Sequence, residues 1–372
     1  MRNTDNIPQS ELMKWLLEKE NPSARYFTMR CVLGRQENEP AVREAKKAIA
    51  ASNVVSRILS KQKPQGFWEE AENPYHPKYK STYWQVMTLA QLGMDRNDKR
   101  VEKACEFVLS LQQPEGGFSS YTQHRALEEF EWMRSRTALK EKLQPEPRSW
   151  AKSLVTEHQY SCLTGNLCAA MLRMGYGDDT RIKKALNWLV KVQNSDGGWL
   201  CPYWKAHIRD THGCFYGTIC PLEAFSEVPK NKRPYEMNKA IEKGAEFLLM
   251  HCLYKADHHR LRIINRQWLK LGFPWFYGYN ILRGLSVLVK LGYIDDRRLS
   301  DAVSVLMQKQ GKDGAWLLET TPAGRMQTNI ETVGKPSKWI TLNALNVLNS
   351  LQETKNEELK QITSRIKDWE HP

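Results

Sequence analysis

The sequence predicts an all-α fold, specifically an α/α toroid in which inner and outer helices alternate around a closed ring, an α6/α6 barrel. Three observations carry that expectation. A helical pattern ends four times in Gln, three residues, Gly, one residue and an aromatic; a one-faced amphipathic helix precedes three of these endings; helices apolar nearly all round lie between them.

The endings come first. They are "QKPQGFW" from Gln62, "QPEGGF" from Gln113 with Gln112 holding the register, "QNSDGGW" from Gln193 and "QGKDGAW" from Gln310, and they align Trp68, Phe118, Trp199 and Trp316. The helices before them begin "RVEKACEFVLSLQ", "RIKKALNWLVKVQ" and "RLSDAVSVLMQKQ", with apolar residues at i, i+3, i+4, i+7 and i+8. Such a stripe buries one face and wets the other, which suits an outer helix. "MNKAIEKGAEFLL", 237–249, repeats the helix without the ending.

The inner set reads "YFTMRCVLG", "YWQVMTLAQLG", "CLTGNLCAAMLRMG", "CFYGTICPLEAF", "GYNILRGLSVLVKLG" and "KWITLNALNVLNSL". A helix apolar on every side must be covered on every side, and closing the ring does that. The expected organisation is an N-terminal helix in 1–25, the toroid over 26–352 and a C-terminal helix in 353–372. A charged insertion at about 122–152 is expected to form a lid or a docking helix.

Links from inner to outer helix are short, as in "LGMDRNDKR", "MGYGDDTR" and "LGYIDDRR", whereas links from outer to inner helix are long. Long loops gathered at one end of a regular scaffold are where binding usually resides. They carry Lys78, Lys80, Arg209, Arg266, Arg325 and Lys335, an expected electropositive mouth. Aromatic residues at the heads of inner helices, Tyr83, Trp84, Phe215, Trp275, Phe276 and Trp339, are expected to line a cavity there. Packing between neighbouring helices is their other reading.

A net charge of +13 over 372 residues attracts anionic partners, including a peripheral contact with an acidic membrane surface. Nucleic acid is set aside, since no recognised motif accompanies the charge. No partner subunit is legible. The eight cysteines, without a CxxC pair, read as reduced thiols, with Cys31, Cys105, Cys168, Cys220 and Cys252 in the core. No apolar run has signal-peptide or membrane-spanning length, so a cytoplasmic protein is expected.

The Gln-Gly-aromatic endings resemble the QW motif of squalene–hopene and oxidosqualene cyclases. From about residue 26 to 352 the chain is similar to the terpenoid cyclase and protein prenyltransferase toroid superfamily. The resemblance implies an isoprenoid-handling enzyme, a terpene cyclase or prenyltransferase-like protein, binding an apolar chain with an anionic head in a central cavity. The Asp-x-Asp-Asp acid of squalene–hopene cyclases is absent; Asp178, Asp179, Asp295 and Asp296 lie in short links and read as helix caps. Asp210 and Glu331 are the loop carboxylates that remain as candidate acids.

Prenyltransferase β-subunits carry Asp-Gly-Cys-Tyr at the head of an inner helix, where Asp and Cys bind zinc. Here His212-Gly213-Cys214-Phe215 stands in that context with Arg209 before it, and imidazole for carboxylate preserves a zinc ligand. The family's later His has no counterpart in "GFPWFYGYN", so Cys162 is the substitute third ligand. Cys162, His212 and Cys214 also reproduce the Cys, Cys, His zinc set of lanthionine cyclases, another α/α toroid. A zinc-dependent peptide-modifying enzyme is therefore one alternative, and a non-catalytic toroid that binds ligands is another.

Overall fold

The computed structural model describes residues 9–136, 146–200, 212–257, 261–322 and 325–352. In chain order, α1 (Gln9–Leu16) precedes α2 (Pro22–Phe27, extended by a π-helical turn, Thr28–Val32), α3 (Pro40–Ala48) and α4 (Asn53–Leu59). Then follow α5 (Thr82–Gln91), α6 (Lys99–Ser110), α7 (Gln123–Arg134), α8 (Pro147–Glu157), α9 (Ser161–Arg173) and α10 (Thr180–Lys191). The remainder is α11 (Phe215–Glu227), α12 (Tyr235–Met250), α13 (Ile281–Leu291), α14 (Ser300–Gln308) and α15, which spans 338–352. The described residues include isolated β-bridges but no strand, and no described helix is long and apolar enough to cross a membrane.

These helices form the α/α toroid. Helices α2, α5, α9, α11, α13 and α15 are inner; α5, α9 and α11 are buried along nearly their whole length. The outer helices bury one stripe, Val101, Ala104, Cys105, Val108 and Leu109 in α6 and Ile182, Ala185, Leu186 and Leu189 in α10, as the periodicity predicts.

Three of the repeated endings tie one outer helix to the next. Gln62 Nε2 donates to Gly66 O at 3.2 Å and Arg100 O at 2.9 Å; Gln112 Nε2 to Gly116 O at 2.9 Å and Arg181 O at 2.7 Å; Gln193 Nε2 to Gly197 O and Ala240 O, each at 2.8 Å. The glycines are obligatory. Gly66 and Gly116 have φ of +100° and +117°, and a Cβ on either would lie 2.7 Å from a carbonyl oxygen of the following outer helix.

Each aromatic is anchored from the inner layer. The amide N–H groups of Trp68, Phe118, Trp199 and Trp316 donate to Thr82, Thr164, Thr218 and Thr341 Oγ1 at 2.9–3.0 Å. The indoles of Trp68, Trp199 and Trp316 reach back to carbonyls at the end of the preceding outer helix, at 2.7–2.8 Å. The ring closes where the last repeat meets the first. Gly314 faces Leu12 of α1, Lys61 Nζ donates to Gln327 O at 2.7 Å, and Phe27 packs on Trp339 at 5.8 Å between ring centroids.

Helices α7 and α8 make a hairpin with a small core of its own, Ala126, Ala151 and Val155. Asp179 and Asp296 cap as expected, accepting from Arg181 N at 2.8 Å and Arg298 N at 2.9 Å. Cys105, Cys168 and Cys220 are buried, but Cys31, expected in the core, is exposed at the end of α2, and Cys252 is half-buried.

Candidate functional site

The stretch "LGFPWFYGYN" does not stay on the long-loop rim. It turns into the ring and blocks it. Gln91, at the end of α5, clamps Trp275 on both sides, donating to its carbonyl at 2.6 Å and accepting from its amide at 2.7 Å. From the other side Arg283, 0% exposed, reaches out of α13. Its guanidinium donates to Glu223 Oε2 at 2.8 Å, Asn166 Oδ1 at 2.7 Å and Gly278 O at 2.8 Å, and further to Phe276 O and to Glu223 a second time. All five donors are used, the condition under which a buried arginine is tolerated. Phe273 stacks on Trp339 at 4.4 Å with 7° between planes, completing a partition across the ring.

The partition leaves two chambers. The central one, about 610 Å³, opens at the short-link end and is walled by Phe27, Phe273, Trp275, Val287, Val289, Trp339 and Leu342. Its cations are each matched by a carboxylate. Arg30 pairs with Glu37 at 2.9 Å, Lys46 with Asp95 at 2.9 Å, Arg173 with Glu223 at 2.5 Å and Glu227 at 2.7 Å, and Lys290 with Glu227. Burial by itself pushes the Glu223 carboxyl up, but the Arg283 and Arg173 guanidiniums outweigh it and bring it down to about 2. Glu227 is likewise lowered against its burial, by Arg173 and Lys290.

The second chamber, about 340 Å³, lies on the long-loop side. Tyr79, Phe273, Trp275, Phe276, Tyr277 and Tyr279 supply its aromatic lining, and Lys270 and Arg325 its charge. Tyr79 and Tyr277 hydroxyls are 3.0 Å apart. Burial, then the bond to Tyr79, raises the Tyr277 phenol well above its usual range, so it stays protonated.

The residues expected from sequence distribute as follows. Trp275 borders both chambers, Phe276 and Arg325 the mouth chamber, and Trp339 the central one. Lys78 sits over the rings of Tyr75 and Tyr277, at 5.6 and 5.2 Å. Several line neither chamber. Tyr83 is buried with its hydroxyl on Ser119 O at 3.2 Å, Trp84 is buried with its indole on Tyr75 O at 2.7 Å, and Phe215 packs against Trp268 at 4.3 Å. Lys80 contributes its carbonyl to Gln327, while Arg266 and Lys335 are exposed away from the chamber linings. Arg209 and Asp210 lie outside the described residues.

Glu331 takes a role different from an acid. Its carboxylate accepts from Ser337 Oγ, from Lys338 N at 2.7 Å and from Trp339 N at 3.4 Å, capping α15, and it borders neither chamber. Burial raises its pKa against the opposing pull of these donors.

The candidate metal ligands stand at the heads of two inner helices, α9 and α11. His212 Nδ1 lies 2.7 Å from Asp196 Oδ2, and Cys214 Sγ accepts from Gly217 N at 3.1 Å as the N-cap of α11. Cys162 is buried near the start of α9. Among the described residues no three His, Cys, Asp or Glu side chains come together to hold a metal ion.

Sequence reasoning missed the residues that build the partition. Arg283 and Glu223 sit in helices that read as apolar all round, and a charge inside such a pattern was the available signal. It also placed one basic mouth over one apolar cavity; the inward fold of 271–280 instead separates them.

A family model, the squalene-hopene cyclase C-terminal domain, matches residues 57–251. Lanosterol synthase erg7A of Aspergillus fumigatus is 24% identical over 248 residues, which is 60% of this chain and 28% of that protein. Among solved structures, a protein from Actinoplanes is 14% identical with a TM-score of 0.42, covering 91% of this chain and 90% of its own. The Scytonema type II terpene cyclase MstE, solved in a variant with geranylgeranyl dihydroxybenzoate, is 15% identical with a TM-score of 0.42, covering 89% and 87%. With the match spanning more than half its length, this chain belongs to the squalene-hopene cyclase C-terminal domain family, within the terpenoid cyclase superfamily.

Proposed function

We propose that the chain binds an apolar chain of the isoprenoid class in the central chamber. What supports this most is the chamber itself: about 610 Å³ of mainly aromatic and aliphatic wall whose charges cancel in pairs, in a member of a cyclase family. A largely apolar cleft of that size takes a chain, and the aromatic rings of Phe27 and Trp275 in its wall suit double bonds or a cation formed from them. The anionic head inferred from the basic loops has no uncompensated cation in this chamber, so the reading keeps the chain and leaves the head out.

Cyclisation begun by protonation needs an acid holding a proton at the chamber wall. Glu223 and Glu227 are held ionised by their cations, so they stabilise positive charge rather than donate. Asp210 is then the acid to test, by Asp210→Asn in a turnover assay with isoprenoid substrates. A second reading, a non-catalytic binding toroid, is favoured by the same ionised carboxylates. No step is assigned to zinc, because the described donors do not group.

Calorimetric titration of the full chain with geranylgeraniol tests the binding. Saturation with little dependence on salt is expected, and Asn346→Phe, a half-buried position on the chamber wall, is expected to weaken it roughly tenfold, about 1.4 kcal/mol. Absence of saturable binding by the folded wild-type chain would overturn the proposal.

A further inference from the structure

We infer that the mouth chamber is a second, separate site, built for a compact aromatic anion such as an aryl carboxylate. The inference goes beyond chain binding and does not depend on it.

Charge is the first ground. The lining includes Lys270 and Arg325 and no Asp or Glu, and neither cation has an ion-pair partner among the described residues. Nearby Glu319 is spoken for: it accepts from Lys309 Nζ at 2.6 Å and Leu271 N at 2.7 Å. Both are exposed at the edge of the chamber, and two cations there without a counter-charge attract an anion.

Shape is the second. Three lining rings, Tyr79, Trp275 and Tyr277, are half-buried, so each offers surface to the hollow. They are held before any ligand arrives. Tyr79 is fixed by its hydroxyl contact with Tyr277 and by packing on Trp84 at 5.1 Å, Tyr277 by Lys78 over its ring, and Trp275 by Gln91. A rigid aromatic wall prefers a planar partner, which can stack, to an aliphatic one of equal size. At about 340 Å³ the chamber is near the lower bound for ligand sites, suited to one ring with its acidic group rather than a long chain. The acid would meet Lys270 and Arg325, with the Thr320 and Thr321 hydroxyls as neutral donors.

Separation is the third. Phe273, stacked on Trp339, stands between the two chambers, so each site should fill without emptying the other.

The test is calorimetric titration of the full chain with benzoate, cyclohexanecarboxylate and inorganic phosphate at low salt, with and without saturating geranylgeraniol. We expect one saturable benzoate site, weakened by salt, with cyclohexanecarboxylate and phosphate each roughly tenfold weaker. Arg325→Gln with Lys270→Gln should weaken benzoate by about the same factor. Gly278→Phe gives an independent blockade at a lining position where a Cβ meets nothing within 4 Å, and its unfolding midpoint is measured alongside to show that the fold holds. That variant should lose benzoate and keep geranylgeraniol. The inference is overturned by no saturable benzoate binding to the folded wild type, by phosphate matching benzoate, by displacement of benzoate with geranylgeraniol, or by indifference to both variants. If geranylgeraniol fails while benzoate binds, only the chain-binding proposal falls.

Discussion

The central and mouth chambers share the side chains of Phe273 and Trp275, yet they treat charge in opposite ways. In the central chamber Arg30, Lys46, Arg173 and Lys290 are all matched by carboxylates, while at the mouth chamber Lys270 and Arg325 have no ion-pair partner among the described residues. Proximity to the same wall therefore does not give the same chemistry. Matched charges stiffen a chamber and leave its electrostatic field weak; unmatched ones hold that field ready for a ligand.

The comparison can be broken most severely at Arg283. Removing its guanidinium with Arg283→Ala leaves Glu223, 3% exposed, with Arg173 as its one cation and releases the carbonyls of 276 and 278. A loss of about 3–5 kcal/mol in chemical unfolding is expected. An unchanged midpoint would mean that the buried network does not hold the partition.

Phe273→Ala attacks the wall directly. Its buried ring is worth about 3–5 kcal/mol on truncation, with the smaller value expected because Phe273 borders two hollows that already relieve its packing. Joining the chambers should also make geranylgeraniol and benzoate compete, where in the wild type they do not.

Acid tests the matched network alone. Glu223, lowered in the folded chain to about 2, contributes stability that is fully present above the ordinary glutamate value of 4.5 and is lost as the pH falls through that window. Stability measured between pH 5 and pH 2 should fall along a steeper slope in the wild type than in Glu223→Gln. Parallel slopes would remove Glu223 from the explanation.

Thr341→Val probes the scaffold apart from either chamber's lining by deleting the acceptor of the Trp316 amide at 3.0 Å. The buried N–H left behind should cost about 1–3 kcal/mol, seen as a lower melting temperature. The smallest effect is expected from Lys290→Ala. Lys290 is half-exposed and Glu227 keeps Arg173, so a change of about 0.2–1 kcal/mol and unaltered benzoate binding should follow.

Much of the scaffold was legible because it repeats. The glutamines at 62, 112 and 193 stand where one amide can join a turn to the next outer helix, and their constant spacing to Gly and the aromatic marked them as a repeat, though not what they bond. The threonines at 82, 164, 218 and 341 were equally regular in the structure and passed unnoticed. A threonine within an apolar helix changes the hydrophobic pattern little, and its partner lies 14 to 46 residues away in the chain. The site was read less well for a related reason. Glu331 looked like a free loop carboxylate, and only the fold-back of its loop onto Ser337 and the head of α15 made it a cap.

The sequence by itself determined the ring: amphipathic stripes, all-round apolar helices and the Gln-Gly-aromatic endings are local patterns, and each constrains the backbone within a few residues of where it is written. Only the tertiary structure decided that 271–280 would turn inward and divide the interior, because that depends on Gln91, Asn166, Glu223 and Arg283 meeting from four helices. Pairing of buried charge is a property of distances in space, and distances between remote segments are not written in any single stretch of chain.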